Sequence, residues 1–243
     1  SEKEKLLEDI ADIARKILKL LKEHLDKLRK LLEEIRRLLE EHSRVLRELI
    51  ERILDALRRK KKLPEEELKR VAERLKELLD RSERRLREIT ERLKRLLEES
   101  ERSLEEIKRR IEKLLDDLRK LSKRVDEDEL LERLLEVLKR VVDLVREHNE
   151  LNERILEEVL KLVEELLRFN EEVLKEIADL VRRVVGQDKD LERELKRVKE
   201  ISRKLEEELK ELKERVKRDS EKMNEDLDRL LEDAERRIRK TRE

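Results

Sequence analysis

Along nearly all of the 243-residue chain, two positions in every seven are apolar. This restricts the fold more than any other feature. A pattern returning every three or four residues lines one face of a helix, whereas a strand face needs a period of two. One seam passes through Leu7, Leu21, Leu28, Ile35, Leu46 and Ile53, and a second through Leu68, Leu75, Leu93, Ile107 and Leu118. A third passes through Leu131, Leu138, Val145, Val159 and Ile177, and a fourth through Leu191, Leu195, Leu209, Leu227 and Ile238. An extra column, Ile10, Ile17, His24, Leu31, Leu38 and Val45, widens the first face to that of a core-facing bundle helix. A seven-residue repeat sustained this far predicts left-handed coiled-coil packing.

The chain has one glycine and one proline, so few connections can interrupt it. Ser1 with Glu4 fits a capping box, and so does Asp126 with Glu129, where Val125 can staple onto Leu130. Pro64, followed by Glu65, Glu66 and Glu67, suits the first position of a helix. Gly186 stands where a left-handed residue ends one, and Asp188 can cap the next. These signals predict helices over 2–59, 64–121, 127–185 and 188–242. Connections so short make neighbours antiparallel. The expected fold is all-α: a single-chain antiparallel up-down-up-down four-helix bundle of long helices, one domain from 1 to 243.

Charged residues make up 56% of the chain, which suggests disorder until the periodicity of the 36% hydrophobic residues is weighed against it. Sixty-eight basic and 68 acidic residues cancel, which removes the electrostatic argument for nucleic acid or an anionic membrane as partner. The run Arg58 to Lys62 reads as a basic helix end rather than an anion site, since no aromatic is interleaved with it. No more than four consecutive residues are uncharged, so a membrane span and a signal-peptide core are not expected, and the chain reads as soluble without a targeting signal. The absence of cysteine excludes disulfides and thiol chemistry.

Eighteen residues are neither charged, hydrophobic, Gly nor Pro, and fourteen of them lie inside the predicted helices. With connections as reversals, residue i of the first helix is level with 124 − i, i + 125 and 248 − i on the other three. His24 then points to levels 100, 149 and 224, near Ser100, Ser103, His148, Asn149, Asn152, Ser220 and Asn224. His42 points to 82, 167 and 206, near Ser82, Asn170 and Ser202, with Ser43 beside it. Only Thr90 is left over, and a mid-helix threonine can bond its own preceding turn. Buried amides and imidazoles need partners, so two structural polar layers are expected.

Two histidines in one layer raise the question of a metal. Carboxylate-bridged bundles use a Glu three residues before the ligand His, but Leu21, Leu39 and Val145 occupy those positions. No metal and no cofactor is expected. Serine and histidine in one layer could form a nucleophile and its base, but a leucine-filled bundle offers no cleft or oxyanion hole, and no catalytic residue is assigned. Phe169 and Met223 read as gap-fillers.

Capping boxes, acidic helix starts, basic helix ends and leucine seams interrupted in discrete layers resemble de novo designed helical bundles with modular buried hydrogen-bond networks. Among these the chain is similar to designed heterodimer-type helical hairpins, here joined in one chain. The resemblance implies a scaffold or interaction module without natural substrate. The leading expectation is a structural scaffold without a partner, monomeric because 36% apolar residues come close to the three-in-seven stripe that a four-helix bundle needs. The alternative is a designed interaction component, an oligomer, heterodimer or switch element, recruiting a helical protein through the wide apolar faces of the first and third helices.

Overall fold

The computed structural model describes residues 2–60 and 63–242. The chain forms four helices, α1 (Glu2–Lys60), α2 (Glu65–Ser122), α3 (Glu127–Val185) and α4 (Lys189–Arg242), packed as a four-helix bundle. No strand is present among the described residues. Ser1 of the proposed first cap, and Lys61 and Lys62 of the basic run, lie outside them.

The helix ends follow local chemistry. The Asp126 carboxylate accepts from the Glu129 N–H (2.9 Å), and its carbonyl accepts from Leu130 (3.1 Å). Val125 packs on the core cluster that holds Leu130. The Glu129 carboxylate returns no bond among the described residues, so only half of that capping box forms. Pro64 stands one residue before α2 rather than inside it, and its carbonyl accepts from Leu68 at 3.1 Å. Gly186 has φ of 73°, and its N–H donates to the Arg182 carbonyl (3.1 Å), closing α3. Asp188 Oδ1 accepts from the Asp190 N–H (3.0 Å). One contact is not encoded by any local motif: the Lys3 ammonium donates to the Val125 carbonyl at 2.6 Å, tying the start of α1 to the α2–α3 connection.

Contacts divide the chain into two compact units, and every helix contributes a segment to each. The first comprises Ser1–Lys30, Arg95–Leu156 and Glu214–Glu243; the second comprises Leu31–Lys94 and Glu157–Lys213. In the first unit Ile17, Leu21, Ile111, Leu130, Leu134 and Ile238 share a core. In the second unit Leu46, Ile53, Leu75, Val173, Ile177 and Val198 do so. Exposed ion pairs link neighbouring helices: Arg29–Glu101 (2.8 Å) and Arg237–Asp9 (3.9 Å) in the first unit, Arg92–Glu158 (2.8 Å) and Arg52–Glu194 (2.7 Å) in the second. Such pairs contribute about 0–1 kcal/mol each, so they report adjacency and the apolar seams drive the packing. No large hydrophobic side chain is exposed among the described residues.

Burial leaves the seven-residue seam toward the helix ends. In α1, Leu7, Leu18 and Ala56 are half-buried while Leu6, Ile13, Ile17 and Leu57 are buried; in α3, Leu135 and Val142 are half-buried while Leu134 and Val141 are buried. A helix turn takes 3.6 residues, so a straight stripe drifts about 20° per heptad against a strict seven-residue count. Over the length of these helices that drift exceeds one residue position.

Candidate functional site

The polar layers are the only chemically distinctive side-chain clusters that the sequence singles out, and each falls inside one unit. In the second unit, the Ser82 hydroxyl donates to Asn170 Oδ1 (2.7 Å), and Asn170 Nδ2 faces His42 Nδ1 at 3.1 Å. The amide nitrogen can only donate, so His42 Nδ1 accepts and the ring proton sits on Nε2. From there it donates to Ser202 Oγ at 2.9 Å. One directional chain thus runs from α2 to α3, across the diagonal to α1, and on to α4. All four residues are buried. Ser43 does not join them. It is half-buried in a groove with Arg47, Glu83 and Leu86, because one residue along a helix is about 100° around it.

The first unit is arranged differently. Ser100 donates to Asn152 Oδ1, and Asn152 Nδ2 donates to His148 Nε2 (3.3 Å). His148 therefore carries its proton on Nδ1 and donates to Ser103 Oγ (2.9 Å), the opposite tautomer to His42. This chain joins only α2 and α3. Separately, Asn149 Nδ2 donates to Asn224 Oδ1 (3.1 Å), linking α3 to α4. Asn149 Oδ1 is buried and has no hydrogen-bond partner among the described residues. Ser220 faces outward to Glu153 at 3.4 Å. His24 is half-buried and finds no hydrogen bond among the described residues. A cleft of about 360 Å³ borders Asn149 and Asn224, floored by Ile17, Val145 and Leu227.

Burial lowers the pKa of all three histidines. For His148 burial and then the nearby His24 push it down to about 4. For His24 burial leads, Lys27 adds to it and Asp219 opposes. For His42 burial alone is responsible. The rings are therefore neutral at neutral pH, as the two tautomer assignments require.

No family model, no curated protein and no solved structure matches the chain.

The thirteen polar residues expected in layers thus divide into two four-residue chains, one amide pair, and three side chains outside both networks: His24, Ser43 and Ser220. Thr90 donates to the Leu86 carbonyl (2.8 Å), as expected of it. Phe169 packs on the second core with the Arg85 guanidinium 4.1 Å from its ring centroid, a partner that gap-filling does not foresee. The sequence held one further signal. Eighteen residues separate His24 from His42, Ser82 from Ser100, Asn152 from Asn170, and Ser202 from Ser220. Eighteen residues are five turns, so each pair occupies one face of its own helix. Among the described residues no group of three His, Asp or Glu is placed to hold a metal ion, and no helix is long and apolar enough to cross a membrane.

Proposed function

We propose that the chain is a designed structural scaffold without natural biochemical activity, and that its two polar layers specify the register of the helices. The observation that carries this reading is the Ser82–Asn170–His42–Ser202 chain, in which every helix contributes one buried residue. Sliding one helix by a turn would set these groups against leucine, at about 1–3 kcal/mol for each one left bare. A catalytic role is not assigned, because Ser82 and Ser100 donate their hydroxyl protons to asparagine, and His42 and His148 each donate to the serine they face rather than accepting its proton. An interaction component would need an apolar strip left over on α1 or α3. That no large hydrophobic is exposed among the described residues favours the scaffold reading over that alternative.

The test replaces Ser82, Asn170, His42 and Ser202 together with apolar residues of fitting volume. A hydrogen bond made inside a protein nets only about 0.5–1.5 kcal/mol, so the variant should be as stable as the parent or more so. It should also lose uniqueness, giving mixed masses by light scattering and broadened amide spectra. A single monomeric species with the parent's spectrum would show that the layer does not specify register.

A further inference from the structure

The second unit's chain, Ser82–Asn170–His42–Ser202, has a complete counterpart in the first: Ser100–Asn152–His24–Ser220. Each member lies eighteen residues away on the same helix. Of the counterpart's links only Ser100–Asn152 is made. Asn152 gives its Nδ2 hydrogen to His148, and Ser220 reaches Glu153 over a long 3.4 Å. His24 is left without a hydrogen bond among the described residues, yet close enough to His148 for its charge to lower the pKa of that ring.

We infer that the first polar layer has two hydrogen-bonded arrangements sharing Asn152: the one on His148 described above, and one on His24 that repeats the second unit's chain. In the second arrangement His24 Nδ1 accepts from Asn152, and its Nε2–H donates to Ser220 Oγ, as His42 donates to Ser202. His148 keeps its bond to Ser103. The exchange trades the Asn152–His148 and Ser220–Glu153 contacts for Asn152–His24 and His24–Ser220, so the number of bonds is unchanged. It proceeds through new rotamers of Asn152, His24 and Ser220.

Protonation biases the choice. The ring that accepts from Asn152 must have a bare nitrogen there, so a proton on His24 removes the second arrangement and holds Asn152 on His148. Of the charged groups at His24, Lys27 of α1 opposes that proton and Asp219 of α4 favours it, while a proton on His24 disfavours a second one on His148 of α3. From α2 the hydrogen bonds of the layer come from the hydroxyls of Ser100 and Ser103, and no charged α2 residue among those described is a cause of the His24 shift. Neutral pH leaves both arrangements open, and acid selects the first.

The experiment is nitrogen-detected NMR of the imidazole rings and asparagine side chains on the full chain between pH 8 and 5. The parent at neutral pH should show two, or exchange-broadened, Asn152 amide signals that sharpen to one on acidification. His24→Leu should give that single signal at every pH. His148→Leu should give His24 the ring-nitrogen pattern of His42, with a solvent-protected Nε2–H, and adding Ser220→Ala should remove that protection. A parent with one sharp Asn152 signal, unchanged by pH and by His24→Leu, would overturn the inference. So would a His24 ring that exchanges freely with water in His148→Leu. The parent and His24→Leu measurements decide the matter even if His148→Leu fails to fold, since His24 has no hydrogen bond to lose.

Discussion

The same substitution at two positions of α3, Asn170→Leu and Asn149→Leu, should change stability in opposite directions. Asn170 is 2% exposed and bonds two buried partners. Without it Ser82 can turn back on its own helix, as Thr90 does on Leu86. His42 Nδ1 has no such recourse, and a bare buried acceptor costs about 1–3 kcal/mol. The larger leucine must also be forced into a filled layer, at about 1–3 kcal/mol, against about 1.5–3 kcal/mol gained from its burial. The net expectation is a loss of about 2 kcal/mol. Asn149 differs in each respect. Its Oδ1 already lacks a partner, so replacement relieves a standing penalty. Its one bond is to Asn224, an exposed residue that can turn to water, and the adjoining cleft of about 360 Å³ takes the extra volume. The net expectation is a gain of about 1 kcal/mol. Guanidinium unfolding followed by circular dichroism resolves a gap of about 3 kcal/mol as roughly half a molar or more between midpoints. Hydrogen exchange assigns each change to its unit. If Asn149→Leu is the less stable variant, or the two coincide, the contrast between a satisfied and an unsatisfied amide is wrong.

Acid should weaken the fold through its histidines. Their folded pKa values lie below about 6.5 in the unfolded chain, so the unfolded state binds protons first. Stability is full above that pH and falls as pH drops toward the folded values, about 4 for His148; equal urea midpoints at pH 7.5 and 5 would refute this. Gly186→Ala should lower the melting temperature through backbone strain alone, about 1 kcal/mol, because φ is 73° and the added Cβ meets nothing within 4 Å. Gly186→Asn should cost less than Gly186→Ala in the same calorimetric scan, since asparagine tolerates the left-handed region better than alanine.

The elements were readable because caps and seams are local. Asp126, Gly186 and Asp188 mark helix ends by their own backbone chemistry, and every helix begins and ends within one residue of the expected position: the end of α1, both ends of α2 and the start of α4 lie one residue later, and the other four ends coincide. Register was readable in part. Asn149 meets Asn224 at the expected level, but Ser100 meets Asn152 rather than 149, and Ser82 meets Asn170 rather than 167. Side chains lean toward the N-terminus of their helix, so contacts between antiparallel helices join residues about one position further along on each. That accounts for about two of the three positions between α2 and α3. His42 meets Ser202, four positions short of the level expected on α4. The pairing within the first layer was not readable from levels alone. His24 and His148 share a level, and which of them Asn152 takes depends on angles around the helix that a level does not carry.

The eighteen-residue interval also has a bearing on how such a chain can grow. A heptad inserted into a helix would turn everything beyond it by about 20° relative to the residues before it. Five whole turns return every side chain to its starting direction while adding roughly 27 Å. His24 and His42, or Asn152 and Asn170, therefore mark the ends of a repeat unit. Adding or deleting that unit in all four helices at once would change the number of polar layers and leave every surviving contact in place.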